Sequence, residues 1–209
     1  MAHNLNTVKK KPYHHGDLRQ ALIDAAESIL AERGVEGFSL REAARRAGVS
    51  PGAPAHHFGD VRGLLTAVAE HAFRDLTEHI AVAALASKRA DRLKQIAIGY
   101  VEFAVSEPAR FNLMWRTAIL DPDNPDYRDA GDRAFAVLNK AVSGSDDLVE
   151  IPSDPALAPS LAVWSLIHGF ARGTLDGNFG PGGAAIDHAV KVLLPAVLAS
   201  SGLFSDESP

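Results

Sequence analysis

Apolar residues recur at helical spacing along almost the whole chain. "DLRQALIDAAESILAERG" puts Leu18, Leu22, Ala25, Ala26, Ile29 and Leu30 on one face and stops at Gly34, which predicts a first helix. A short second helix starts at Ser39, with Glu42 three residues on as in a capping box, and ends at Gly48. A third starts at Pro51 with Ser50 as its N-cap. There a proline loses nothing at the first helical position, and Pro54 still falls among amides without an intrahelical acceptor. After Gly59 a long helix carries Leu64, Leu65, Val68, Ala72, Leu76 and Ile80. Further helices are expected at about 91–107, 108–120, 126–142, 155–176 and 184–200, separated by "DPDNPD", "GSDDLVEIPSDP" and "DGNFGPGG". No alternation is long enough for a strand, and no internal repeat is visible. The expected fold is all-α, with an arm and three-helix unit over residues 1–60 and a helical bundle over 61–209.

Two short helices joined by a tight Gly-containing turn and braced by a preceding helix make a helix-turn-helix. In such a unit the second helix enters the major groove. Pro51 and Pro54 stiffen its first turn, while Gly52, Ala53 and Ala55 let the backbone come close to DNA. His56 and His57 at its exit suit phosphate oxygens, and Phe58 is expected to turn inward as an anchor. Arg45 and Arg46 read equally as DNA contacts or as a solvated helix face.

The formal net charge of −5 argues by itself against a nucleic-acid partner, but its distribution does not. Through Asp60 there are 8 Lys/Arg, 7 Asp/Glu and five of the nine histidines; from Val61 on there are 13 Lys/Arg and 19 Asp/Glu. Lys9, Lys10 and Lys11 could serve as a DNA-touching arm or as a solubilising tail. With no cysteine, no apolar leader and no run near the ~18 apolar residues of a membrane span, a cytoplasmic protein without membrane contact is expected.

"LIDAAESILAERGVEGFSLREAARRAGVSPGAPAHHFGD" followed by "GLL" resembles the TetR (tetracycline-repressor-like) family of bacterial transcriptional regulators over residues 18–65. "YHHGDLRQAL" and "WSLIHG" (164–169) are similar to a subgroup with a Trp-x-x-x-His-Gly signature in the ligand domain. The resemblance implies a homodimer through the last two helices, an N-terminal domain that binds a double-stranded DNA operator, and a C-terminal domain that binds a small effector. Ser39, Arg41, Ser50, Pro51, Gly52, Ala53, His56 and His57 fall where such proteins meet DNA, with Lys11 and Arg62 as flanking candidates. Many family members carry a phosphate-contacting tyrosine where this chain has Ala55 and a lysine where it has Val61. The histidines and Arg62 are then left to anchor the helix, which predicts operator affinity that rises as pH falls.

For the effector site, the aromatic set Phe103, Phe111, Trp115 and Trp164, with Asn112 and His168 as polar handles, fits an interhelical pocket. For His168 a packed structural pair with Gly169, the glycine permitting close helix approach, is the preferred reading. Other chemistry finds little support. Neighbouring histidines diverge by about 100° on a helix, and no Glu-x-x-His pair or cysteine accompanies them, so no metal is expected. "GNFGPGG" lacks the lysine of a phosphate loop, and no nucleophile elbow is present, so neither a cofactor nor catalysis is expected. The reading is a ligand-responsive repressor. Its rival is a small-molecule-binding bundle or enzyme whose hairpin is only structural.

Overall fold

The computed structural model describes residues 15–83, 88–144 and 154–204, all helix and connecting loop. Lys9, Lys10 and Lys11 lie outside the described residues. The elements are α1 (His15–Arg33), α2 (Leu40–Arg46), α3 (Ala53–Phe58), α4 (Val61–Ala83), α5 (Arg89–Ser106), α6 (Pro108–Met114), α7 (Pro125–Ser143), α8 (Ala158–Leu175), α9 (Gly183–His188) and α10 (Leu194–Ser200). Single 3-10 turns at Thr117–Ile119 and Pro155–Leu157 precede α7 and α8.

Three expectations are corrected. The segment 108–120 is not one helix: α6 ends at Met114, and the chain tightens into the 3-10 turn. The recognition helix starts at Ala53, two residues after Pro51, because Pro51 and Gly52 form a turn in which Ala53 N–H donates to Ser50 O (3.0 Å). Gly52, not Ser50, is therefore its N-cap. In the third case the capping box is half-formed: Glu42 N–H donates to Ser39 Oγ (3.3 Å), but the Glu42 carboxylate turns to Arg45 and Arg46.

The helices build two apolar cores. The first joins Ile23, Ile29 and Leu30 of α1, Ala43 of α2, and Leu64, Leu65 and Val68 of α4. It also takes Leu113 and Leu120, both fully buried, so it draws on residues well past 60. The second core fills the larger bundle of α4, α5, α7, α8 and α10. Helix α4 runs through both, because its 23 residues are apolar enough on one face to serve two packings.

At the C-terminus α9 and α10 are joined by a π-helical turn, Ala189–Leu193, in which Leu194 N–H reaches back to Ala189 O. Pro195 has no N–H to give the residue four before it, and the wider turn takes up the irregularity. This rod, Gly183–Ser200, is long and apolar enough to cross a membrane by length and composition, with mean hydropathy 1.3, yet only 17% of it is buried. The Lys191–Asp187 ion pair (2.8 Å) sits on its flank.

Candidate nucleic-acid interface and ligand cavity

Helix α3 owes its outward face to its own composition. Pro54 is buried, while Pro51, Gly52, Ala55 and His56 are exposed and Ala53 and His57 half-exposed. Phe58 packs against the first core, and the Arg19 guanidinium lies over its ring at 5.3 Å. Two glycines make the placement possible. Gly59 turns the chain at φ +78°, and a Cβ on Gly63 would lie 1.9 Å from Phe58 O, so only glycine lets α4 start this close to α3. Asp60 caps α4 by accepting from Gly63 N–H (2.9 Å).

The basic residues of this region divide by their partners. Arg46, with its side chain 18% exposed, grips Glu32 (2.6 Å), Glu42 (3.0 Å) and Ser28 Oγ (2.8 Å), tying α2 to α1. The Arg46 guanidinium holds the Glu32 carboxyl down at about 2; Arg45 and Arg46 do the same to Glu42. Arg45 is exposed but forked onto Glu42 at 2.8 Å by both Nε and Nη2. Arg41 is exposed beside the Ser39 cap, with no ion pair of its own among the described residues. Ser50 is exposed next to the turn that leads into α3. Val61, where the family lysine would stand, is 41% exposed.

Arg62 is directed elsewhere. Its Nε donates to Leu120 O (2.6 Å), at the junction of α6 and α7. One turn on, the fully buried Thr66 donates to Arg62 O (2.7 Å) and accepts from Asp121 N–H (2.8 Å). Arg116 adds an ion pair to Glu36 after α1 (2.9 Å). Residues 113–121 are thus stitched to the helix-turn-helix, and Trp115 in the middle of that stretch faces the other way.

Trp115 is part of the wall of a cavity of about 260 Å³ between α4, α5, α7 and α8. Phe73, Tyr100, Tyr127, Phe135 and Trp164 supply the other aromatic surfaces, and Leu76, Ile80 and Leu138 the aliphatic ones. Of the six residues expected from the sequence, Trp115 and Trp164 line this space. Phe111 is fully buried one layer behind, edge-on to Tyr100 (5.7 Å) and Trp115 (6.3 Å). Phe103 is core, near His79, and Asn112 is exposed with its Oδ1 accepting from Arg172. His168 stacks on Trp164 (5.1 Å, 21°) and stands edge-on to Trp115 (4.8 Å), so it braces the wall from behind. A Cβ added to Gly169 would meet nothing within 4 Å, so no close helix approach occurs there among the described residues.

Tyr100 is the hydrogen-bond partner of that histidine. Burial drives the phenol well above its ordinary range, a hydrogen bond with Trp164 opposing it, and the hydroxyl stays protonated. Burial, and then Arg172, lowers the His168 pKa and favours its neutral form. Tyr100 Oη and His168 Nδ1 share a hydrogen bond (2.9 Å) whose direction follows the imidazole tautomer. Nothing in the sequence marks Phe73 or Tyr127 as cavity residues rather than core, because both tasks need the same apolar helical face. Among the described residues no cluster of His, Asp or Glu could hold a metal.

The comparisons with known proteins agree with this two-part layout. Residues 22–68 match the family model "Bacterial regulatory proteins, tetR family", and residues 93–197 match "Tetracyclin repressor-like, C-terminal domain". An HTH-type transcriptional regulator BetI from Burkholderia lata is 36% identical over 109 residues, half of this chain and 56% of that protein. The chain thus matches little more than half the length of that curated relative. A protein of unknown function from Rhodococcus sp. RHA1 is 31% identical, with TM-score 0.71 over 91% of this chain and 98% of that one. The TetR family regulator PfmR of Thermus thermophilus shares the fold at 22% identity and TM-score 0.57, over 85% of this chain and 97% of its own.

Proposed function

Since the chain belongs to the TetR family of bacterial regulatory proteins, we propose that it is a cytoplasmic, homodimeric, DNA-binding transcriptional repressor released from its operator by a small effector. The observation that carries this reading is the outward face of α3, held on a helix-turn-helix that residues 113–121 fasten to the wall of an apolar cavity. In the proposed complex Gly52 and Ala53 let the recognition helix approach base edges. Ser39, Arg41, Ser50, His56 and His57 donate to phosphates. Arg62 acts instead as a tie to Leu120 O. The two recognition helices of a dimer enter successive major grooves about 34–36 Å apart.

A second copy of the chain accounts for the exposed face of the last helices. On α8 the outward positions Ala162, Ser165 and Gly169 are small, and on the C-terminal rod Val192 is 52% exposed with Pro195, Ala196 and Ala199 beside it. Apolar, sterically flat surfaces of this kind are what a self-complementary two-fold interface covers. In this reading the Trp164–His168–Gly169 run is a subgroup mark, its first two members bracing the cavity and its glycine facing the partner.

Effector binding shifts the balance between two spacings of the recognition helices by its differential affinity for them. The strand of contacts from Trp115 to Asp121, and from there to Thr66 and Arg62, is the proposed carrier. The test is a mobility-shift assay on DNA flanking the protein's own gene, with a salt titration. Affinity is expected to fall linearly on a log–log plot as phosphate contacts release counterions. Absence of any shift at low salt overturns the proposal.

A further inference from the structure

Both tryptophans of the chain line the cavity, and the polar groups around it can be accounted for one by one. Tyr127 O–H donates to Met114 O (2.9 Å). The Tyr100 hydroxyl shares a hydrogen bond with His168 Nδ1 (2.9 Å), and Trp164 is bonded to that same phenol. Arg128, the one cationic side chain in the lining, spends Nε on Pro122 O (2.6 Å) and Nη2 on Asp123 (2.8 Å). Asp132, the one carboxylate, has a partner of its own. The indole N–H of Trp115 is the exception: it is buried and has no hydrogen-bond partner among the described residues.

A buried donor without an acceptor is costly and rare. Here it belongs to a side chain that walls an otherwise apolar space, with Phe73 edge-on at 5.3 Å. Trp115 also sits just past the last turn of α6, where its indole can swing toward the cavity without breaking a helix. We propose that the cavity takes a neutral, ring-bearing apolar molecule with one hydrogen-bond acceptor, a ketone, ester, lactone or quinone carbonyl, and that this acceptor pairs with the Trp115 indole N–H. The inference rests on the reading of this cavity as the effector site. A cationic ligand would find its only carboxylate already engaged, and an anionic one would be stripped of water beside an arginine whose donors face the α6–α7 loop. A carbonyl satisfies the orphan donor and leaves every other bond in place. Pairing it would also pull on the segment whose far end is bonded to Thr66.

The test uses the full chain and four probes built on one ring system: 2-acetonaphthone, 2-ethylnaphthalene, 2-naphthoate and trimethyl(2-naphthyl)ammonium. Calorimetry should show the ketone binding about tenfold more tightly than the hydrocarbon, the worth of one buried hydrogen bond, with both ions weaker than the ketone. Trp115→Phe should bring the ratio of ketone to hydrocarbon affinity down to about one, whatever the smaller ring does to both. In the wild-type chain labelled with nitrogen-15, one of the two indole N–H signals should move downfield with the ketone and not with the hydrocarbon, which keeps the test independent of how well the variant folds. Equal affinity for ketone and hydrocarbon, an ion that outbinds the ketone, or no uptake of any probe overturns the proposal. These readouts need no DNA. A chain that binds the ketone but no operator contradicts the regulator reading alone, and one that shifts operator DNA but takes no probe contradicts this inference alone.

Discussion

Thr66 and Asp121, 55 residues apart in sequence, share a partly buried hydrogen bond: the hydroxyl on α4 accepts from the Asp121 amide at 2.8 Å while donating to Arg62 O. A hydroxyl is one of few side chains that can serve both partners at once, and Thr66 is 1% exposed. Thr66→Val keeps the shape and leaves the Asp121 N–H without an acceptor. The expected loss is about 1–3 kcal/mol, or several degrees in the melting temperature. If residues 113–121 carry the effector signal, the variant should still bind operator DNA but release it poorly on effector binding. Normal release in a shift assay would exclude this bond from the route.

Arg41 and Arg46 should separate cleanly. Arg41→Ala removes an exposed cation that has no ion pair among the described residues, so operator affinity should drop, the log–log salt slope should shrink by about 0.9, and thermal melting should not change. Arg46→Ala breaks the α1–α2 network and should lower the melting temperature while leaving the salt slope as it is. A salt slope reduced by Arg46→Ala, in protein that melts normally, would assign that residue to DNA instead.

Acid should erode stability over two separable pH ranges. His168 and His71 have pKa values lowered chiefly by burial, so their neutral forms favour the folded state. That contribution is complete above the unfolded value of 6.5 and is lost as pH falls below it. Glu32 and Glu42, held at about 2 against 4.5, contribute above pH 4.5 and lose that contribution as pH falls toward 2. Melting temperatures of His168→Gln should be flatter than wild type just below pH 6.5, and those of Arg46→Gln flatter between 4.5 and 2. Profiles parallel to wild type would refute both assignments.

Val192→Glu places a charge on the exposed face of the C-terminal rod. Sedimentation at micromolar concentration should show a dimer for the wild type and a monomer for the variant, with the helical signal preserved. Leu193 and Val197 are poorer choices for this test, since both pack partly against the second core.

Much of the layout was legible in the sequence because apolar spacing, Gly stops and Pro starts are local signals. Helix α1 ends at Arg33 and α7 spans Pro125–Ser143, close to what their patterns predict. At α3 the pattern puts Pro51 at the first helical position, whereas Pro51 sits in a turn and Pro54 takes the second position of a helix that starts at Ala53. The cavity was legible only in part. Trp115 and Trp164 stand out by size, whereas Tyr100 and Tyr127 look like ordinary core until α5 and α7 are brought together. The role of Arg62 could not be read at all, because its partner, Leu120 O, is a backbone atom far along the chain.

Leu113 and Leu120, fully buried in the first core, also bear on how the molecule is made. A ribosome delivers the helix-turn-helix early, yet that core lacks two of its leucines until residue 120 has left the exit tunnel. The N-terminal half would therefore wait as an incompletely packed intermediate during synthesis and close only when α6 arrives. Nascent chains halted before α6 should stay sensitive to protease, and those halted well after residue 121 should become resistant in a single step. The helix-turn-helix is completed only once the bundle that holds the cavity has begun to form.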